Sequence, residues 1–400
     1  MLQLSDKELK VHLDSRSNAP RLLAENANYF GTLANSKLKA ILPLKYNTGF
    51  EELGCIGYQP VMEELTATVK ISRSSGYGGN LCSKGSMEYV RFFLDYGDGA
   101  GWKDMGMAAV NVHDIPDSKD CNGALEKPIS YTLRLKIDPK NMLCSKANLP
   151  KLRAVLSWNV PLLPNQPNQA VAWGDMKEAS IQIAPLVLLT PTFPIEKIGP
   201  LLTKAIQNPT VSLASLAAGS VADKAKLKAA QDAVLAPKVE LAELSKLYAT
   251  EKVKIEPERI GAKILHEAVY AQNPAIMAQN QNIFLSANLD WAASLKKFLS
   301  LKGNVSYEEL YCVGLDYHKE ALVASLRVKK PSGYSGSLCT NGSKEYVGFW
   351  IQTDVDCTWK YVGTAFVNVY DIAVPADGLA YSVILPVDLS SYRNPCGKPT

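Results

Sequence analysis

The chain carries one long stretch of sequence twice, 257 residues apart, and any fold proposed for it must accommodate both copies. Glu51-Glu-Leu-Gly-Cys-Ile-Gly57 returns as Glu308-Glu-Leu-Tyr-Cys-Val-Gly314. Ser75-Gly-Tyr-Gly-Gly-Asn-Leu-Cys82 returns as Ser332-Gly-Tyr-Ser-Gly-Ser-Leu-Cys339, and Val110-Asn-Val-His-Asp-Ile115 as Val367-Asn-Val-Tyr-Asp-Ile372. From 51 to 115 the alignment needs no gap, and 29 of 65 positions are identical. Upstream, Ala24–Phe30 runs against Ala278–Phe284 with a three-residue shift. Solenoid units repeat every 20–50 residues or so, so a period this long indicates duplicated domains.

Within each copy the hydrophobic period is two. Leu65, Ala67, Val69 and Ile71 alternate with Thr66, Thr68, Lys70 and Ser72, and Leu322, Ala324, Leu326 and Val328 repeat the pattern. This predicts a strand with one face on a core and the other towards water. Val90, Phe92 and Leu94, then Ala108, Val110 and Val112, then Tyr131, Leu133, Leu135 and Ile137 mark further strands, each with a counterpart in the second copy. Leu152–Trp158 and Ala179–Ile183 read as strands of the first copy only. With a short strand at 53–58, the first copy has about seven strands separated by turn residues, which resembles in pattern an immunoglobulin-like or fibronectin-like sandwich. The Cys–Trp–Cys core signature of true immunoglobulin domains is missing.

The expected fold is therefore mainly β with an α connector: two tandem homologous antiparallel β-sandwich domains joined by a helical segment. A helical or extended lead-in occupies 1–50, the first sandwich 51–190, the connector 191–300 and the second sandwich 301–400. Ala222–Ala236 is rich in good helix formers, Val239–Tyr248 is amphipathic, Pro257–Tyr270 opens on a proline suited to a first turn, and another helix is expected near 289–300. The second copy reaches Thr400 where the last two strands of the first would begin. It should show fewer strands, and an open sheet edge with apolar residues exposed near Val367, Val383 and Leu385. A longer natural chain, a strand from another chain or the connector helices would each relieve this.

Composition narrows the function classes. A formal charge of +4 over 400 residues, with acidic and basic residues interspersed, lacks the basic stripe of a nucleic-acid binder. No apolar run approaches the ~18 residues of a membrane span. The polar start, Met1–Lys10, does not read as a secretory leader, which predicts a cytoplasmic protein, secreted only if a leader is missing. Eight cysteines fall four per half: Cys55, Cys82, Cys121, Cys144 and Cys312, Cys339, Cys357, Cys396. In cytosol these read as buried thiols; in an oxidising setting Cys55–Cys82 and Cys121–Cys144 are candidate pairs.

Each candidate for chemistry has a plainer structural reading beside it. The Gly-rich loops at 76–82 and 333–339 precede strands, not helices, so phosphate cradling is disfavoured. They present Tyr77 and Tyr334 either as exposed anchors for a ligand or as rings packed over a sheet edge, with glycine supplying positive φ. Cys82 and Cys339 lack a base present in both copies, since His113 is matched by Tyr370. The absence of any C-x-x-C pair argues against zinc. The acidic stretch Asp95–Trp102 reads as a hairpin turn, because it lacks the ligand spacing of a calcium loop. Trp102 and Trp359 align and could stack on a sugar, although packing is the commoner role for tryptophan at a strand start. The function expected is that of a non-enzymatic structural or protein-interaction protein, without cofactor or metal, associating with a protein partner or with itself. The alternative is a carbohydrate- or small-ligand-binding module using the Gly-Tyr-rich loops.

Overall fold

The computed structural model describes residues 4–116, 119–120, 123–124, 127–185, 239–250, 254–271, 273–353, 357–393 and 395–396. The chain begins with helices α1 (Asp6–Ser17), closed by a Ser5/Glu8 capping box, and α2 (Ala19–Glu25). Strands β1 (Glu51–Gln59), β2 (Glu64–Ile71), β3 (Ser86–Asp95) and β4 (Lys103–Val112) follow. After the short pair β5 (Lys119–Asp120) and β6 (Gly123–Ala124) come β7 (Ile129–Lys136), β8 (Lys151–Trp158) and β9 (Met176–Ser180). Among the described residues five helices follow: α3 (Leu241–Ala249), α4 (Pro257–Ile260), α5 (Ala262–Tyr270), α6 (Pro274–Ser286) and α7 (Trp291–Ser300). The second copy supplies β10 (Glu308–Asp316), β11 (Ala321–Val328), β12 (Ser343–Gln352), β13 (Trp359–Val369) and β14 (Leu379–Pro386). The helix expected over Ala222–Ala236 lies outside the described residues.

Two tandem sandwiches do not form; the mainly-β expectation holds, but the copies merge. Strands β1, β2 and β7 make an antiparallel meander, and β10, β11 and β14 make the same meander in the second copy with matching register, Leu65↔Leu135 in one and Leu322↔Leu385 in the other. Each meander is half a barrel with two open edges. The halves close on each other through two parallel seams: Tyr58 of β1 opposite Tyr381 of β14, and Leu315 of β10 opposite Tyr131 of β7. The result is a closed six-stranded mixed barrel, with β9, β8, β3 and β4 continuing outward from β14. At the seams β1 and β10 carry glycine. A Cβ on Gly57 would lie 2.5 Å from Ser382 Oγ, and one on Gly314 would lie 2.4 Å from Thr132 Oγ1. Only glycine permits that approach.

Closure changes the meaning of the alternating pattern. Most of the polar face of β2 does not meet water: Thr66 and Thr68 are buried, as are Thr132, Ser325 and Ser382, while Lys70 is partly exposed. They lie on the barrel side, where Thr66 bonds Ser382 at 2.6 Å and Thr68 bonds Thr132 at 3.2 Å. Small hydroxyl side chains fill a narrow interior and satisfy one another, as buried polar groups must. At one end Arg134 bridges Asp316 at 2.9 Å and Glu64 at 3.5 Å.

The apolar faces point outward from the barrel into two cores. Leu65, Val69, Phe92, Val110 and Leu133 share one core with residues of β8, and Leu322, Leu326, Phe349, Val367 and Val383 share the other. Val367 and Val383 are thus buried, contrary to the exposure expected of them. Leu244 and Tyr248 of α3 join the second core, while Leu265, Phe284 and Trp291 hold the helices to each other.

The cysteines join copy to copy, neither free nor paired within a copy as Cys55–Cys82. Cys55 bonds Cys312, its own counterpart 257 residues on. Only on the axis that exchanges the copies can a residue meet its counterpart, so this bond marks a local two-fold. Cys82–Cys396 and Cys144–Cys339 are then images of one another, since Cys82 aligns with Cys339 and Cys144 with Cys396. Cys121 lies outside the described residues.

Candidate interaction surface

Each Gly-rich loop is pinned from inside. The Asp114 carboxylate accepts the backbone N–H of Tyr77 at 2.7 Å and of Gly79 at 2.9 Å, and the Tyr77 hydroxyl donates to the Phe50 carbonyl at 2.7 Å. In the second copy Asp371 accepts from Tyr334 at 2.7 Å and Gly336 at 2.8 Å, and the Tyr334 hydroxyl donates to the Tyr307 carbonyl at 2.9 Å. Both tyrosine rings are fully buried, and burial pushes both phenols up. Neither ring is available to a ligand from solvent. Cys82 and Cys339 are held in disulfides, so neither sulfur is a free nucleophile.

Beside each loop sits an arginine that sequence comparison missed. Arg16, near the end of α1, forks onto Glu51 through two contacts of 2.9 Å and donates from Nε to the Gly76 carbonyl at 3.1 Å. Its guanidinium lies 3.8 Å from the Trp158 ring centre and 4.3 Å from that of Phe50. Arg259 of α4 repeats this with Glu308 at 2.6 Å, Glu345 at 3.2 Å and the Gly333 carbonyl at 3.2 Å, over the Tyr307 and Tyr334 rings. The two arginines stand 243 residues apart, off the 257-residue period and in unrelated local sequence, which hides the match.

Glu88, the counterpart of Glu345, is buried with neither carboxyl oxygen hydrogen-bonded. Burial, then the Glu51 charge, pushes its carboxyl well above the usual range. Burial, then Glu308, pushes Glu345 up to about 7. The bidentate Arg16–Glu51 pair, the single contacts of Arg259 to Glu308 and Glu345, the pinned loops and the enclosed rings make these clusters supports of the fold.

The copies part company at β3 and β12. In the first, β8 lies antiparallel along β3, from Glu88↔Trp158 to Asp95↔Lys151, and β9 follows it. Phe93 of β3 is 1% exposed, packed with Val155, Leu162 and Val171. In the second copy β12 pairs with β13, and among the described residues no strand takes its other edge. Trp350, the counterpart of Phe93, is 53% exposed. Leu53 of β1 is fully buried, whereas its counterpart Leu310 is 60% exposed. The Arg16 side chain is 1% exposed and that of Arg259 21%, because Trp158 covers only the first.

Of the two aligned tryptophans, Trp102 is partly buried and stacks 4.2 Å from Arg153, while Trp359 is exposed. With Tyr346, Trp350 and Tyr361, Trp359 forms an exposed aromatic face on β12 and β13, in which the Trp350 and Tyr361 rings stand 5.5 Å apart. The aromatics at 346, 350 and 361 are legible as a period-two pattern. Their exposure is not, because it depends on a strand that, among the described residues, only the first copy has.

No protein-family model matches the chain, and no curated sequence does. Among solved structures, the reduced superoxide reductase (neelaredoxin) from Archaeoglobus fulgidus aligns with 32% of this chain and 87% of its own, at 10% identity and a TM-score of 0.17. A β-glucuronidase of glycoside hydrolase family 2 aligns with 34% of this chain and 12% of its own, at 13% identity and a TM-score of 0.16. The Bacteroides uniformis β-glucuronidase aligns with 35% and 14%, at 10% identity and 0.16. At such TM-scores the likeness bears on neither architecture nor activity.

Proposed function

We propose that this chain is a non-enzymatic interaction protein whose second copy docks a polypeptide on the outer face of β12 and β13. The carrying observation is the contrast between Phe93, buried, and its counterpart Trp350, half exposed. In the first copy the equivalent face is covered by polypeptide, the Val155, Leu162 and Val171 side chains. The same chemistry suits the bare face, because large exposed apolar patches on soluble proteins mark interaction sites. Burial of Tyr77 and Tyr334 favours this reading over ligand capture by the Gly-Tyr loops.

A synthetic peptide of residues 151–173, titrated into the full disulfide-bonded chain, tests it. Saturable binding lost in Trp350→Ser/Trp359→Ser is the expected result; no binding at millimolar peptide overturns it. Sugar stacking on Trp359 and Trp350 is a second reading, favoured by their exposure and tested by calorimetric titration with neutral oligosaccharides. Three disulfides between the copies favour an oxidising compartment for the mature protein.

A further inference from the structure

The first copy shows what the second lacks, and in what orientation. β8 presents Leu152, Ala154, Leu156 and Trp158 to the first core. Trp158 stands opposite Glu88 and lies on the Arg16 guanidinium. In the second copy Glu345 and Arg259 occupy the equivalent positions, with Arg259 partly open to solvent. Among the described residues the edge beside them takes no strand, and such an edge presents backbone groups that readily take on another strand.

We infer that the free edge of β12 accepts an extended segment of a partner protein, added antiparallel to the sheet, with alternate apolar residues facing the second core and an aromatic residue opposite Glu345. This rests on the docking surface proposed above and specifies its partner. Strand addition supplies affinity through main-chain hydrogen bonds and specificity through alternate side chains. The alternation is set by β12 itself: Tyr346 and Trp350 face out, while Val347, Phe349 and Ile351 face the second core. An incoming strand therefore adds one row of side chains to that core and one to the aromatic face. The aromatic residue stacks on Arg259 as Trp158 does on Arg16.

A second copy of this chain fits less well. Opposed residues of an antiparallel pair point to the same face, so β12 laid on another β12 would set Ser343, Glu345, Val347, Phe349 or Ile351 opposite Glu345. None of these both carries a ring and is free, because Phe349 is already buried in its own core.

The test uses the full disulfide-bonded chain and the 151–173 peptide. Expected are one-to-one binding, slowed amide hydrogen exchange confined to 343–352, at least tenfold weaker binding of the peptide carrying Trp158→Ala, and none of a peptide N-methylated at alternate residues of 151–158. Peptide binding that is lost in Trp350→Ser/Trp359→Ser yet leaves the amides of 343–352 unprotected overturns strand addition and keeps the docking surface. No binding of either the native or the N-methylated peptide overturns both. Equal affinity of the Trp158→Ala peptide overturns the aromatic requirement. A dimer that protects 343–352 without peptide, seen by light scattering and exchange, assigns the edge to a second copy and overturns the partner.

Discussion

Two glutamates, Glu88 buried and Glu345 half-buried, occupy the same place in the duplicated sheet and differ in their company. Glu345 reaches Arg259 at 3.2 Å, whereas Glu88 has no hydrogen bond at all. For both, the folded chain raises the carboxyl above its unfolded value, so the native state holds a proton that the unfolded state releases. Stability from such a group is complete below the unfolded value and is lost as pH rises through the folded one. For Glu345 the window runs from the usual value of 4.5 to about 7. Glu345→Gln should therefore flatten the fall in urea midpoint across that window. Glu88→Gln should likewise remove the fall that sets in above the usual value, raising stability at pH 8 relative to wild type by on the order of 1 kcal/mol. Identical pH profiles for wild type and both variants would show these carboxyls ionised in the folded chain. The buried tyrosines give a sharper test of the loops. Tyr77→Phe removes one of two donors to the Phe50 carbonyl, which keeps the Ser72 N–H at 2.8 Å, and should cost about 0.5–1.5 kcal/mol, with peptide binding unchanged. A loss of binding without loss of stability would return Tyr77 to the surface.

At the scale of strands and helices, sequence pattern carried far. The period-two segments at 65–71, 90–94, 108–112 and 131–137 fall on strands, with counterparts in the second copy, and among the described residues Leu152–Trp158 is a strand of the first alone; the strand expected over Ala179–Ile183 instead spans Met176–Ser180 and ends before Ile181. Pro257–Tyr270 is helical but divides at Gly261, which Phe284 approaches so closely that a Cβ would lie 2.1 Å from its ring. What the pattern lacked was the partner of each strand. Alternation states that two faces differ, not that the polar one meets water, and in β2 it meets the barrel interior. Nor does alternation say whether an edge pairs within a copy or across to the other. The seams at Gly57 and Gly314 were visible only as glycines kept in both copies. Leu133 tests the outward assignment of β7. It is buried among β2 and β3 side chains, so Leu133→Ala should lower the unfolding free energy by about 2–5 kcal/mol. An unchanged denaturation midpoint would place it elsewhere.

The whole molecule behaves as two interlocked halves, and its covalent bonds follow the interlock. All three described disulfides cross between copies, spanning 257, 314 and 195 residues of chain. Peptide mapping without reduction should recover Cys55–Cys312, Cys82–Cys396 and Cys144–Cys339; a Cys55–Cys82 peptide would contradict the barrel. Thermodynamically, a single bond closing a loop of 257 residues restrains the unfolded chain by about 5 kcal/mol in the chain-entropy description. The three loops overlap, however. While other bonds remain, the unfolded halves stay tethered, and the one removed closes a much shorter effective loop. Losses should therefore be unequal in order of removal. Cys55→Ser/Cys312→Ser alone should cost about 2–3 kcal/mol. Removing the last of the three described pairs should cost more than removing the first, and loss of all three should lower the thermal midpoint more than three times the single-pair loss. Equal, additive losses along the series, measured by denaturant titration of each double-serine variant, would mean that the disulfides act locally rather than by holding the two copies together.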